Sequence, residues 1–596
     1  MDGRMKILFV VLFHFACMVV LPLFALTVHE SPDVYNALRL DGSGIISEPA
    51  GHIPICCTNG MSLTGPNVVY WADGVPSGGD DIVVELRLSI TDARKADVRL
   101  HFGDLYFGLC GNNGKMYVKR GLIFCDVARD VAKLDSPSEV TEGKSFAVKI
   151  ERKSGIMSAE VSGQRIFSVR DFRPSLGAIG IEPGKGIVNV ERFEIGAQAF
   201  ASRRVEIQRS AALAEFARSY PVVDLSSDKS LDHVVAAGTP EVYQGHPTSV
   251  VTSDGRIIAV WSIEHGGPAG QGAESKDGGR TWMRIDDRFP LEFKLHVDCP
   301  SIYRLIGPDG KSRLWVWSQS KMYPGSTRKN HYNRDYSKSM PSIMSEDEGR
   351  TWREMPPLGG QRFRCKMAFT SIERLKDGSY IAVFHRDPPN KERSPLVVLA
   401  TVSRDGGFSW SDPQIICRKA FRDPCEPCLF RSPDGKELCC ICRENLHVGN
   451  SLMVFSCDEG RTWSEPEESP WALSGDRHQG IRLKDGRLMV VFRDKANESP
   501  TYGHFVAWVG AYEAIHTKRT DGTFRIKLLH SYDNDDCGYP GIAQLPDGKI
   551  MALTYVKYAP GRDRQSVIAK VFDLPSLPQI NGEWPVEPSA VASMSQ

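Results

Sequence analysis

The sequence lacks a net charge. Lys and Arg together number 73, as do Asp and Glu, so no global field draws the chain to nucleic acid or to an anionic membrane. Any recognition of charge must come from a local cluster. The sequence also lacks a nucleotide fingerprint and a phosphate loop, and it implies no cofactor. No metal-ligand pattern is complete either. Cys425 and Cys428, with Cys440 or Cys442, come nearest to a zinc site, but no second spaced pair or His partner finishes it. Cys439, Cys440 and Cys442 lie in the strand-like run KELCCICREN, where neighbours alternate between faces. Several of the 15 cysteines are therefore expected as small core residues.

What is present suits a turn-rich all-β protein. There are 54 Gly and 37 Pro alongside 11 Trp and 26 Phe, and the 41% hydrophobic content allows sizeable cores. At 596 residues, two folded domains are the default. The N-terminus, residues 1–26, has a basic head before the apolar run ILFVVLFHFACMVVLPLFAL. It reads as an export signal or, with about 20 apolar residues, as an uncleaved membrane anchor. Export would permit disulfides. Residues 30–200 alternate short apolar stretches with Gly, Asp and Asn turns, as in DDIVVELRLSI and KSFAVKIERKSG, the pattern of an antiparallel β-sandwich. Within a linker at 201–230, SRRVEIQRSAALAEFARSY spaces its apolar residues helically, which predicts a helix near 207–219.

Residues 231–575 repeat, ahead of a tail at 576–596. Six Asp-Gly turns, with Gly255, Gly310, Gly378, Gly435, Gly486 and Gly548, each sit between two apolar strands. Their intervals of about 50 to 70 residues fit one four-stranded blade apiece, hence a six-bladed β-propeller. Four units also carry a second motif: SKDGGRTW at 275–282, SEDEGRTW at 345–352, SRDGGFSW at 403–410 and SCDEGRTW at 456–463. The Asp can accept backbone N–H bonds, Gly supplies unusual backbone angles and Trp anchors the hairpin. Blades five and six lack a clean copy. These Asp-boxes resemble those of the sialidase, or BNR-repeat, superfamily. The N-terminal β-rich part resembles the concanavalin or laminin-G class of jelly roll, at the level of fold alone.

Counting nine residues back from each turn glycine finds the residue that opens the innermost strand: His246, Glu426, Arg477 and Tyr539 in blades one, four, five and six. The third blade places Phe369 there, and the irregular second offers Asp298 or Cys299. The sialidase resemblance implies a tyrosine nucleophile, Tyr539 in DCGYPG, activated by Glu426, with Arg443 following on the next strand. A phenol stays neutral until its base takes the proton, so it escapes repulsion by a carboxylate on the substrate's anomeric carbon. The resemblance also implies an arginine clamp for that carboxylate. Arg386, Arg443 and Arg493 recur on second strands, and Arg477 adds a fourth.

Two departures stand out. Where sialidases open the first blade with an arginine, this chain has Gly245-His246-Pro247, so the clamp is incomplete or rebuilt. The expected general-acid aspartate is also missing, which leaves Glu264 as the choice of acid and Asp298 as the second. The resemblance implies an exported glycoside hydrolase acting on a glycan or glycoconjugate that bears sialic acid or a related acidic sugar. The alternative is a non-catalytic carbohydrate-binding propeller or adhesin. Neither involves nucleic acid, and membrane association requires an uncleaved N-terminal segment.

Overall fold

The computed structural model describes residues 203–588, apart from 324–333, 336–338, 387–395, 420–421, 448, 534 and 581. Between 26 and 197 it describes the strands and some of their connections. The apolar N-terminal run, residues 7–25, lies outside the described residues. The described residues are all-β apart from short helical segments, and the chain divides into two compact units, residues 1–211 with 592–596, and residues 212–591.

The first unit holds an eight-stranded and a seven-stranded sheet. The long strand Ile82–Thr91 pairs antiparallel with both Phe146–Lys153 and Ile187–Ala197. Along Phe146–Lys153, Phe146, Val148 and Ile150 are buried while the residues between them are more open. That period of two is what a sheet with one covered face requires. Leu86, Leu88 and Ile150 of one sheet join Leu100, Phe102 and Phe107 of the other in a single apolar cluster.

The second unit repeats one motif. Six sheets begin with strands β1 (Gln244–Val251), β2 (Ser301–Ile306), β3 (Met367–Arg374), β4 (Pro424–Arg431), β5 (Gly475–Arg482) and β6 (Cys537–Gln544). Each is the first of four antiparallel strands, joined to the second by the Asp-Gly turn. The turn glycines all have positive φ, between 74° and 91°, which explains why glycine recurs there. Consecutive first strands pack on one another, and β6 packs on β1. The sixth sheet takes its outer strand, Asp232–Ala236, from ahead of β1, so both ends of the repeat meet in one sheet.

The four Asp-boxes occupy equivalent hairpins, between the third and fourth strands of sheets one to four. In the first, Asp277 accepts the backbone N–H of Arg280 (3.1 Å) and Thr281 (2.9 Å), and Trp282 donates to the Gly279 carbonyl (2.9 Å). Asp347, Asp405 and Asp458 accept the matching Thr or Ser N–H, and Trp352, Trp410 and Trp463 repeat the bond to glycine. Each box also abuts the preceding sheet. A Cβ on Gly349 would lie 2.3 Å from Ile258, one on Gly407 3.0 Å from Leu305, and one on Gly460 2.5 Å from Ile381. The missing boxes have a topological reason. Sheet five inserts the helix Glu513–Thr517 between its third and fourth strands, and in sheet six those strands are not consecutive.

The helix before the repeat runs Arg203–Ser219, about one turn longer at its start than the apolar spacing predicts. Phe216 and Tyr220 meet the ring of Trp471 at 5.2 and 5.6 Å. In the tail, Glu587 accepts the Trp471 N–H (3.0 Å) and a bond from Asn450 (3.3 Å). The ten cysteines from Cys299 to Cys537 are free thiols, and all but Cys457 are buried. The incomplete zinc pattern does not assemble. Cys428 sits in the apolar cluster shared with Trp471 and Phe492, whereas Cys440 and Cys442 sit in the cluster with Val383 and Val398. Strand alternation puts these sulfurs on opposite faces of sheet four.

Candidate active site

The first strands do not run regularly into the centre. Pairing with the second strand slips between Gly245 and Thr248, Cys425 and Cys428, Asp476 and Gln479, and Gly538 and Gly541. Each slip is a β-bulge, and the residue it frees has positive φ: His246 55°, Glu426 46°, Arg477 54° and Tyr539 57°. Pro247, Pro427 and Pro540 follow three of them. Proline has no N–H to give a ladder and is tolerated inside strands at bulges. Non-glycine residues held in this region cost about 1 to 3 kcal/mol each and cluster at functional sites.

Tyr539 donates its phenolic hydrogen to Glu426 Oε1. The two residues lie on β6 and β4, 113 positions apart in sequence. Both are buried, at 7% and 4% exposure. Burial, the largest influence, would raise the Glu426 pKa, but the Arg443 guanidinium, the bond from Tyr539 and the neighbouring His385 together hold the group below the usual carboxylate range. Burial, with the Glu426 charge, pushes the Tyr539 phenol well above 10. The resting pair is thus a neutral phenol and an anionic acceptor. Arg443 Nη1 lies 3.4 Å from both Glu426 oxygens, and the Glu426 backbone N–H is bonded to His385 Nδ1 (3.2 Å). Burial drops His385 to about 4, so it is a neutral acceptor.

Arg443 and Arg493 converge on a carboxylate the sequence reading missed. Asp476 is fully buried, and Arg443 Nε lies 3.0 Å from Oδ1, where His447 Nε2 also lies at 2.9 Å. Arg493 bonds Oδ2 through Nε (3.0 Å) and Nη2 (2.7 Å), and its Nη1 bonds the carbonyls of Asp535 (2.8 Å) and Cys537 (3.1 Å). Burial would raise the Asp476 pKa, yet these cations carry it well below the carboxylate range. A signal for Asp476 existed. It stands one place before the residue singled out in β5, where β1, β4 and β6 have Gly245, Cys425 and Gly538.

The remaining sequence candidates divide. Arg477 lies over the Tyr539 ring at 5.8 Å and donates to the Thr370 carbonyl (2.7 Å). The His246 ring meets Tyr539 edge-on at 4.5 Å and is kept neutral by burial. Asp298 lies just ahead of β2 at φ 66° and accepts the Cys299 thiol (2.9 Å). Arg386 is turned elsewhere, donating to the Gln361 (3.2 Å) and Arg362 (3.0 Å) carbonyls, and meets none of the other arginines among the described contacts. Glu264 is ion-paired with Arg564 (2.9 Å), which engages the carboxylate that the sequence offered as acid. Phe369 packs with Trp317 and Trp410 rather than facing the cluster.

Residues 297–552 match the family described as BNR repeat-like domain. The match falls on the repeating part of the chain, where the Asp-boxes imply BNR-type repeats. No curated protein matches the chain. Solved structures that it resembles include an unknown-function protein from Dyadobacter fermentans (16% identity, 58% of this chain and 98% of that one, TM-score 0.45). Another is the NanB sialidase from Streptococcus pneumoniae (13% identity, 83% and 95%, TM-score 0.38). A third is an alpha-L-arabinanase from Penicillium chrysogenum (14% identity, 57% and 97%, TM-score 0.40).

Proposed function

We propose that the chain is an exported glycoside hydrolase of the sialidase type, in which the six sheets close as a six-bladed propeller behind an N-terminal β-sandwich. The bond from Tyr539 to Glu426 carries this reading. In the first half-reaction Tyr539 Oη attacks the anomeric carbon while the bond to the leaving oxygen breaks. The phenolic proton passes to Glu426, and the leaving oxygen takes a proton from an acid, for which Asp298 and Glu264 are the candidates. Water then attacks the anomeric carbon, giving a proton back to the carboxylate that served as acid, and displaces the tyrosine, which recovers its proton from Glu426, so the product keeps its anomeric configuration.

The substrate is an exo-linked sialic acid or related acidic sugar, with Arg443 as its principal cation and Arg477 and Arg493 beside it. A carbohydrate-binding propeller is the second reading. The observation favouring it is that Arg493 already gives four of its five N–H groups to Asp476 and two carbonyls. Release of a fluorogenic phenol from a panel of glycosides tests the choice. Cleavage by the wild type, lost in Tyr539→Phe, is expected; no cleavage of any glycoside by the folded protein would leave the binding reading.

A further inference from the structure

Three donors of different chemistry meet where β1 approaches the turn before β2. Nε2 or Nδ1 of His246, a carboxylate oxygen of Asp298 and Sγ of Cys299 all lie within 4.8 Å of one another. His246 is 1% exposed, and its Nε2 has no hydrogen-bond partner among the described residues. Its other nitrogen faces Ser262 Oγ (3.3 Å) and the Gly266 N–H (3.5 Å), contacts that fix the ring and leave Nε2 as its unpartnered nitrogen. The Cys299 thiol is buried against Asp298 Oδ1 (2.9 Å). All three residues carry positive φ, 55°, 66° and 38°, so strained backbone is concentrated at the one place these donors meet.

We propose that His246, Asp298 and Cys299 form a zinc site. A mixed nitrogen, oxygen and sulfur set suits zinc and disfavours calcium or magnesium, which prefer oxygen alone. On binding, the Cys299 S–H bond breaks, the proton leaves to solvent and the thiolate takes up the metal. Thiolate and carboxylate together balance the dication, so the loaded site is neutral beside the Arg477 guanidinium. Three protein donors leave a fourth place for water or a ligand oxygen. That place adjoins the sugar-binding cluster, because the His246 and Tyr539 rings are 4.5 Å apart. The proposal does not depend on the glycosidase reading, but with Asp298 on the metal it leaves Glu264 as the acid for that reading.

The full chain, stripped with a chelator and titrated with cobalt(II) as the spectroscopic stand-in for zinc, tests the site. One equivalent of cobalt should bind with a thiolate-to-cobalt absorption in the near ultraviolet, and zinc should displace it. Cys299→Ser should abolish that band, His246→Ala should weaken zinc binding at least tenfold, and Cys457→Ser, at the exposed thiol, should leave both unchanged. Melting curves of the stripped variants separate lost ligands from lost fold. A folded wild type that shows no thiolate-to-cobalt band overturns the proposal whatever the variants do, as does a band that survives Cys299→Ser.

Discussion

Arg493 meets Asp476 through two nitrogens on a single carboxylate oxygen, Nε at 3.0 Å and Nη2 at 2.7 Å. Arg443 approaches the other oxygen of the same carboxylate, so one buried anion holds two cations of neighbouring sheets in place. Removing one partner of a buried pair leaves an uncompensated charge and costs about 3 to 5 kcal/mol. Asp476→Ala should therefore destabilise the repeat unit by an amount in that range and lower activity together with it. Denaturant unfolding measures the first effect. A stability loss below about 1 kcal/mol would mean that the arginines find other partners.

The Tyr539–Glu426 bond sets an expectation for pH. The folded pKa of Glu426 is depressed, so its carboxylate form persists to lower pH than in a free side chain, and the base is lost only as pH falls below 4.5. The acid limb of kcat/KM due to Glu426 should lie below 4.5, and Glu426→Gln should cut kcat by at least about a hundredfold, the lower end of what general-base catalysis supplies. A Glu426→Gln enzyme with full kcat would remove it from the proton path.

How far the sequence reached is best seen at the bulges. The nine-residue count from the turn glycines found His246, Glu426, Arg477 and Tyr539, and all four take positive φ where the ladder slips. It succeeded because the Asp-Gly turn and the bulge are both local features of one hairpin. In β3 the slip spans Met367 to Ser371, one residue more than in the others, and the extra residue turns Phe369 into the core. Partners from distant sheets were not legible. Arg564 reaches Glu264 across 300 residues, and nothing in either segment announces the pairing. Asp476 was passed over because the count selects one residue per blade, and the bulge in β5 makes two neighbours useful.

The Asp-boxes give a prediction about acid stability. Burial would raise the Asp277 pKa, but bonds from Thr281 and its neighbours bring it down to about 2, while Asp458, held first by Thr462, also falls to about 2. Their folded values lie below the unfolded 3.8, so the stability they add is present in full above that pH and is lost as pH falls towards 2. Unfolding followed between pH 5 and 2 should show a smaller loss in Asp458→Asn than in the wild type, because the variant has already given up this contribution. Parallel losses in the two proteins would exclude it.

Gly349 joins backbone need to packing need. Its φ is 83°, and an added Cβ would stand 2.3 Å from Ile258 of the preceding sheet. Left-handed backbone alone costs a non-glycine residue about 1 to 2 kcal/mol, and forced overpacking adds about 1 to 3. Gly349→Ala should lose about 2 to 5 kcal/mol on unfolding. Gly310→Ala, at φ 74° with nothing within 4 Å of the added carbon, should lose only the backbone part. Equal losses in the two variants would show that the box does not bear on the neighbouring sheet.

The first-blade arginine that the superfamily resemblance implies is His246 here, and a buried neutral imidazole supplies no permanent charge. The cations that remain near Tyr539 are Arg443, Arg477 and Arg493, each already in contact with protein oxygens. Arg493 is the most committed, with one N–H group outside the four bonds it makes. Arg477 gives Nη1 to Thr370, and Arg443 meets Asp476 through Nε alone (3.0 Å) and rests with Nη1 at 3.4 Å from Glu426, a looser hold than the four bonds of Arg493. Arg443 should therefore be the cation that turns to an acidic ligand. Losing one member of a buried charge pair costs about 2 to 5 kcal/mol, so Arg443→Ala should weaken a carboxylated sugar by well over tenfold while sparing its neutral amide. Arg386→Ala is the control, because its guanidinium is bound to the Gln361 and Arg362 carbonyls, and it should leave both ligands unchanged. Titration calorimetry with the two sugars on the wild type and both variants reads all six affinities. Equal losses of acid and amide in Arg443→Ala would assign Arg443 to holding Glu426 and Asp476 in place and would favour a binding site for neutral sugars.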